Sequence, residues 1–390
     1  MKTRKTCSLI LCFVLLLSLC VPAFAAQPAP PEIKNVILMI GDGMGENHLK
    51  LAEEYGHTLF MNTQYDLRGQ SKTRSASHIT TDSAAGGTAL SSGVRIINQT
   101  VGVFAWDPFG LFRVPKSIAE VAQEKGMKTG IVTTDSVTGA TPASFSVHVL
   151  YRKMYDKLAQ EILKTKFDLF WGKAEENATI TPEAVAANGW TFVANKTEMQ
   201  ALQPGTRSFG QFSGQTWRSA IPEAELEMDP PLLREMSTKA IELLNADNEN
   251  GFFLMIEGAH IDKQSHKSKG MRMDYESKRE EVVSAVVGFD NAIRDVVEFA
   301  RKDGHTAVVV TADHETGWIF KDRGSYRFHL NEHTASNVPV FVFGTDCLFK
   351  PGAAVKNKSI PVRLSSLLGW SKCDFPAKQP GKLTCFRAKG

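Results

Sequence analysis

Six short apolar runs, most of them rich in Val and Ile, recur along the chain: NVILMIG at 35, KTGIVTT at 128, FDLFWG at 167, FFLMIEG at 252, TAVVVTA at 306 and VPVFVFG at 338. A strand that is apolar at successive positions must be covered on both faces, as happens in a parallel sheet lying between two layers of helices. The intervening stretches supply those helices. KSIAEVAQEKG, LLREMSTKAIELLNADN and RMDYESKREEVVSAVVGFDNAIRDVVEFARKDG keep apolar residues at helical spacing, and the last runs into Gly304, a helix stop. The alternation predicts an α/β fold, a three-layer αβα sandwich with a large, mostly parallel central sheet. Residues 174–230, containing TPEAV, WTFVANK and RSFGQFSGQ, are less regular and read as an excursion over that sheet rather than a separate domain.

The first residues, MKTRKTCSLILCFVLLLSLCVPAFA, combine three bases, an apolar run and a small-x-small site at Ala23-Phe24-Ala25. This is the pattern of a secretory signal peptide over 1–25, which places the mature chain, 26–390, in the periplasm or outside the cell. Ser8 to Cys20 falls short of the about 20 apolar residues a membrane span needs, so no membrane anchor is expected after cleavage. Loss of this segment leaves 42 basic and 42 acidic residues. A neutral chain has no electrostatic footprint for nucleic acid. Of the cysteines that remain, Cys373 and Cys385 are near enough in sequence to pair in an oxidising compartment, with Cys347 left single.

Ligands of such folds bind beyond the carboxyl ends of the strands. Asp42 follows the first strand in GDGMG, Glu257 ends the fourth in EGAHIDKQSH, and Asp313 and His314 follow the fifth in DHETG. Acids gathered at one edge repel one another unless cations hold them together. Asp262 and His266 are four apart, on one face of a helix, as two ligands of one metal would be. His333, in NEHTAS, is a further candidate. GDGMG is spaced GxGxG rather than GxGxxG and lacks the acid expected about 20 residues on, so a dinucleotide loop is set aside. In TTDSAAGGTA, Asp82 or Ser83 would cap a helix. If Ser83 is instead a nucleophile, its proton has to be removed without a histidine nearby in sequence.

IGDGMG, TTDSAAGGTA, ATPAS followed by VLYR, GFFLMIEGAHIDKQSH, VVVTADHETG and NEHTAS stand in the order found in secreted alkaline phosphatases, which the chain resembles over nearly all of its mature length. The resemblance implies a phosphomonoesterase that works through a phosphoserine at a site of two Zn2+ and one Mg2+, on small phosphate monoesters and at alkaline pH. Asp262, His266 and His333 resemble the ligands of one zinc. Asp42, Asp313, His314 and the Ser83 oxygen resemble those of the second. Thr141 and Glu257, with Asp42 as a bridge, match the magnesium position, and Arg152 matches the residue that clamps phosphate. Mixed imidazole and carboxylate ligands suit zinc, whereas all-oxygen sites suit magnesium. Ala84, Ala85, Gly86 and Gly87 would then leave room around Ser83 for cations and phosphate.

Two departures stand out. The family usually carries an acid or a histidine two positions before Thr141, where this chain has Gly139, which leaves the third cation position with fewer protein contacts. Lys263 matches a position that assists phosphate binding through water and is expected to offset part of the missing charge balance. Only residues 315–332 separate His314 from His333, where many members carry a long insertion. The family is usually a homodimer, and the short segment counts against its full interface. The rival readings are a phosphodiesterase of the same superfamily, given room by the excursion at 174–230, and a phosphate- or metal-binding protein that has lost turnover.

Overall fold

The computed structural model describes residues 32–104, 114–175, 177, 179–220, 223–266 and 276–376. The signal peptide and Cys385, the expected partner of Cys373, lie outside these residues; Cys347 and Cys373 are exposed.

Fourteen strands occur among the described residues: β1 Asn35–Gly41, β2 Leu67–Lys72, β3 Lys128–Ser136, β4 Leu169–Lys173, β5 Thr191–Val193, β6 Ser208–Phe212, β7 Phe252–Gly258, β8 Thr306–Thr311, β9 Glu315–Thr316, β10 Phe320–Asp322, β11 Ser325–Arg327, β12 His333–Thr334, β13 Val338–Phe343 and β14 Ala354–Lys356. Ten form one sheet in the order β14-β2-β13-β8-β1-β7-β3-β4-β6-β5. Every neighbouring pair is parallel except those of β13, which runs antiparallel to β2 and β8. The fold is thus the α/β sandwich with a mostly parallel sheet that the apolar runs predict.

Period-two alternation sends the strand side chains into two cores. Ile37, Met39, Leu254, Ile256, Val308 and Val310 face one, while Val36, Leu38, Ile40, Phe253, Met255 and Val309 face the other. Helices α1 (Glu46–Glu54), α5 (Leu233–Asn245), α6 (His260–Ser265) and α7 (Glu276–Asp303) contribute to the first core. Helices α2 (Ser83–Ser92), α3 (Ile118–Glu124), α4 (Ala140–Ser146) and α8 (Ser359–Leu367) contribute to the second. Gly304 ends α7 at φ +75°, its N–H bonded to the Ala300 carbonyl at 2.9 Å, as its place in the sequence predicts. No helix among the described residues is long and apolar enough to cross a membrane.

Residues 174–230 are not an excursion over the sheet. They supply β5 and β6, which extend it beyond β4. Glycine disguises β6 in the sequence: Gly210 takes a strand position where a Cβ would lie 2.8 Å from the Phe212 ring and 2.9 Å from Trp171. The segment between His314 and His333 is compact, with β10 and β11 paired antiparallel and β9 paired to β12 so that Thr316 stands opposite His333.

The central strands are held at their carboxyl ends by one ring. Phe289 of α7, buried, lies where a Cβ at Gly41 would approach it to 3.0 Å and one at Gly258 to 2.7 Å. Those glycines flank Asp42 and Glu257. Phe289→Ala is expected to destabilise the protein by about 3–5 kcal/mol in urea unfolding, the usual cost of emptying a core phenylalanine site. A loss below about 1 kcal/mol would show that the ring does not carry the strand ends.

Candidate active site

Register explains why the acids meet. Glu257 of β7 pairs with Ile40 of β1 and Thr133 of β3, and Ile40 pairs in turn with Thr311 of β8. Two residues beyond that row in sequence stand Asp42, Asp313 and Asp135. Four adjacent parallel strands therefore each carry a carboxylate to one edge. Asp135 was not singled out in the sequence, although it follows KTGIVTT as Asp313 follows TAVVVTA.

Asp262, His266 and His333 bring ligand atoms within 4.8 Å of one another, and so do Asp42, Asp313 and His314. In the first group His266 Nδ1 bonds the Asn331 carbonyl, and His333 Nδ1 bonds that of Thr81 at 3.0 Å. A carbonyl carries no proton, so both Nδ1 atoms donate, and the two Nε2 atoms are left facing each other at 3.0 Å. Asp262 Oδ1 stands 3.2 Å from one Nε2 and 3.5 Å from the other. Lone pairs and a carboxylate facing one point repel unless a proton or cation lies between them.

The second group follows the same logic. The Thr316 hydroxyl gives its proton to Asp262 Oδ1, so His314 Nδ1 donates to Thr316 Oγ1 at 3.2 Å. His314 Nε2 then faces Ser83 Oγ at 3.1 Å, Asp313 Oδ2 at 3.2 Å and Asp42 Oδ1 at 3.4 Å. Ser83 has one proton to offer, and Asp42 Oδ1 and Asp313 Oδ2 are buried without a hydrogen-bond partner. These orphaned oxygens and paired lone pairs fit a divalent cation in each group.

Burial sets the electrostatics. It pushes Asp42 well above the usual carboxylate range, with Asp313, Asp262 and Glu257 adding to the rise. Asp313 rises to about 6 through burial and then the Asp262 charge. Glu257 rises to about 8 through burial and then the Asp135 charge, opposed by its hydrogen bond from Thr133. Burial also drives His314 well below its ordinary value, which keeps it neutral. Thr141 lies near enough to Glu257 to favour its ionised form but closes no hydrogen bond of normal geometry.

Ser83 opens α2, capped by Asp82, whose Oδ1 accepts from the Ala85 N–H at 3.0 Å. The nucleophile candidate and the helix start are adjacent residues, and the dipole at that end favours an anion. Asp82 Oδ2 also accepts from Gln99 N and Nε2, at 3.0 Å each, and from Arg152 Nη1 at 3.1 Å. One side chain thus places both the helix start and Arg152; the sequence marked it only as a cap. Burial disfavours the Arg152 charge, but Asp82, helped by Asp42 and Asp313, more than offsets it and keeps the guanidinium more firmly protonated. Lys263 does not reach the two triads and forms an ion pair with Asp135 instead. Gly86 and Gly87 leave less room for ligands than their size implies. A Cβ on Gly86 would lie 3.0 Å from Asp313 Cβ, and one on Gly87 would lie 2.4 Å from Ser144 Oγ, so both let the helix dock closely.

The pattern that defines the alkaline phosphatase family matches residues 33–169 and 161–345. Alkaline phosphatase 4 of Bacillus subtilis is 34% identical over 317 residues, covering 76% of this chain and 64% of that protein. Alkaline phosphatase H of Pseudomonas aeruginosa is 31% identical, covering 73% of this chain and 69% of that one. The chain thus spans just under two thirds of the Bacillus relative's length. The alkaline phosphatase of the Antarctic bacterium TAB5 superposes with a TM-score of 0.72 at 29% identity, covering 88% of this chain and 100% of that chain. A variant of it with Mg bound in the M3 site gives the same TM-score.

The raised carboxyls generate a pH prediction for the metal-free protein. Folded-state values above those of the unfolded chain mean that the native state keeps protons the unfolded chain has released. The stabilisation is complete below about pH 4 and is lost as pH rises through about 6 for Asp313 and about 8 for Glu257. Neutral His314 and His48 act in the opposite sense until the unfolded imidazoles lose their protons near pH 6.5. Urea unfolding after chelation should therefore show stability falling between pH 7 and 8, by up to about 1.4 kcal/mol per pH unit for Glu257, and the fall should be abolished by saturating Zn2+ and Mg2+. A metal-free protein that grows more stable over this range would contradict the assignment of the buried charges.

Proposed function

The chain belongs to the alkaline phosphatase family, and from that premise we propose that it is an exported phosphomonoesterase working through a phosphoserine on Ser83. The observation that carries the reading is the convergence on His314 Nε2 of Ser83 Oγ, at the start of α2, and of two carboxylates with orphaned oxygens. Asp262, His266 and His333 would hold one cation; Asp42, Asp313, His314 and Ser83 Oγ would hold a second. Their mixed nitrogen and oxygen donors suit Zn2+, while Asp42, Glu257 and Thr141 offer an all-oxygen set suited to Mg2+. Cations held by these residues would stabilise the attacking and leaving oxygens of an in-line displacement at phosphorus.

The chain's own groups do the rest. Ser83 Oγ, its proton passed to solvent hydroxide, attacks phosphorus, the ester P–O bond breaks, and the alkoxide leaves and takes a proton from water, which returns the hydroxide. Water then attacks the phosphoserine, releasing phosphate and restoring Ser83. Arg152 offers two N–H donors to non-bridging oxygens throughout, held toward Ser83 by Asp82. Residues 174–230 build the far edge of the sheet, so the feature that made room for a diester no longer favours that rival. Export rests on the signal pattern at 1–25.

Zinc- and magnesium-loaded protein is expected to release phosphate from 4-nitrophenyl phosphate faster than from bis(4-nitrophenyl) phosphate and to stop on chelation. Ser83→Ala should lower kcat by at least about a thousandfold. Activity surviving that substitution, or a preference for the diester, would overturn the reading. Asp82→Asn keeps an oxygen for the helix cap but removes the charge that holds Arg152. It should weaken inhibition by inorganic phosphate about tenfold with little change in thermal stability, and phosphate inhibition identical to wild type would remove Asp82 from the positioning of Arg152.

A further inference from the structure

Asp135 is a carboxylate at the site edge that the proposed chemistry leaves without a task. Its Oδ1 accepts from the Ser136 N–H at 2.7 Å and from Lys263 Nζ. The other oxygen points at Gly139, where a Cβ would lie 2.5 Å from Oδ2 and 2.9 Å from Cγ. No side chain larger than hydrogen fits at 139 while Asp135 stands there. The same carboxylate is the strongest charge acting on buried Glu257. Beyond it are the Thr141 hydroxyl and Asp42 Oδ1, both buried and both without a hydrogen-bond partner.

We infer that Asp135 supplies, from the end of β3, the carboxylate that position 139 lacks, and that it orders the third cation through the water shell while anchoring Lys263. The inference rests on the phosphatase reading above. Asp135 stays outside the proposed all-oxygen set of Asp42, Glu257 and Thr141, because its Oδ1 is taken by Lys263 Nζ and the Ser136 N–H and its Oδ2 lies against Gly139. It acts as a positioning residue, not a direct ligand. Mg2+ suits that arrangement, because it keeps several of its waters and those waters need acceptors with fixed positions. Asp135 has one oxygen tied to Lys263 and the other directed into the space that glycine leaves open, so its orientation is set from both sides.

Magnesium binding to the full chain loaded with two equivalents of Zn2+, followed by isothermal titration at fixed pH, tests this. Asp135→Asn preserves shape and should weaken Mg2+ binding by about ten- to a hundredfold with zinc content still at two per chain. Gly139→Ala, which adds one inert methyl, should weaken Mg2+ binding as well, because the methyl and the carboxylate cannot both occupy the space. A Mg2+ isotherm for either variant that superimposes on wild type overturns the inference, as does a zinc-loaded wild type that takes up no third cation. Turnover of 4-nitrophenyl phosphate by the same preparations reports separately on the phosphatase reading: wild type without Ser83-dependent turnover sinks that reading whatever the Mg2+ isotherms show.

Discussion

Four carboxylates brought by parallel register to one edge of a sheet are the constraint on which the rest of the site depends. Asp42, Asp313 and Glu257 are buried; the charges of Asp313 and Glu257 push up Asp42, and that of Asp313 pushes up Glu257. Taking even one unpaired carboxylate out of water costs several kcal/mol, and like charges add to that cost. Such a cluster persists in a folded protein when cations complete it, so the sheet edge is an assembly whose charge balance comes from outside the chain. The hydrophobic packing beneath supplies the stability that lets the edge remain under strain until then, with the Phe289 ring seated under Gly41 and Gly258.

The two triads are not independent. Thr316 gives its proton to Asp262 of the first group and accepts from His314 of the second, while the two rings of His314 and His333 stack at 3.5 Å. A single hydroxyl therefore fixes which nitrogen of His314 faces Ser83 and which oxygen of Asp262 faces the other histidines. Thr316 itself is fixed by pairing β9 to β12, which sets His333 opposite it. The short segment between His314 and His333 is enough to do this, because the pairing needs two residues on each side.

What could be read from the chain follows from the range of the interactions involved. Buried strands, the long helix ending at Gly304, and the acids at strand ends are written in local pattern, and both triads are assembled from residues read in that way. Features set by contacts distant in sequence were not legible. Gly210 hides a strand because its lack of a side chain answers to Trp171 and Phe212, and Thr316 has no signal of its own because its role lies wholly in its partners. Asp82 was visible as a cap, but its hold on Arg152 spans 70 residues. Gly86 and Gly87 read as open space, yet in the fold that space is filled by Asp313 and Ser144.

Gly139 and Asp135 carry this distinction furthest. Four residues apart, they look unrelated in sequence, one a missing ligand and the other an ordinary polar residue after a strand. In the fold a Cβ at 139 would meet Asp135 Oδ2 at 2.5 Å and the Ser136 carbonyl at 2.9 Å, so the carboxylate and the turn beside it both call for glycine there. A carboxylate delivered from the end of β3 stands two residues past the Thr133–Glu257 pair, whereas one delivered from position 139 would be set by the turn before α4. The sheet is the more rigid support, and a site whose charges must be balanced by small cations gains most when its acceptors are placed by the element that moves least. On that argument Gly139 marks a change in where the charge is anchored rather than a loss from the site.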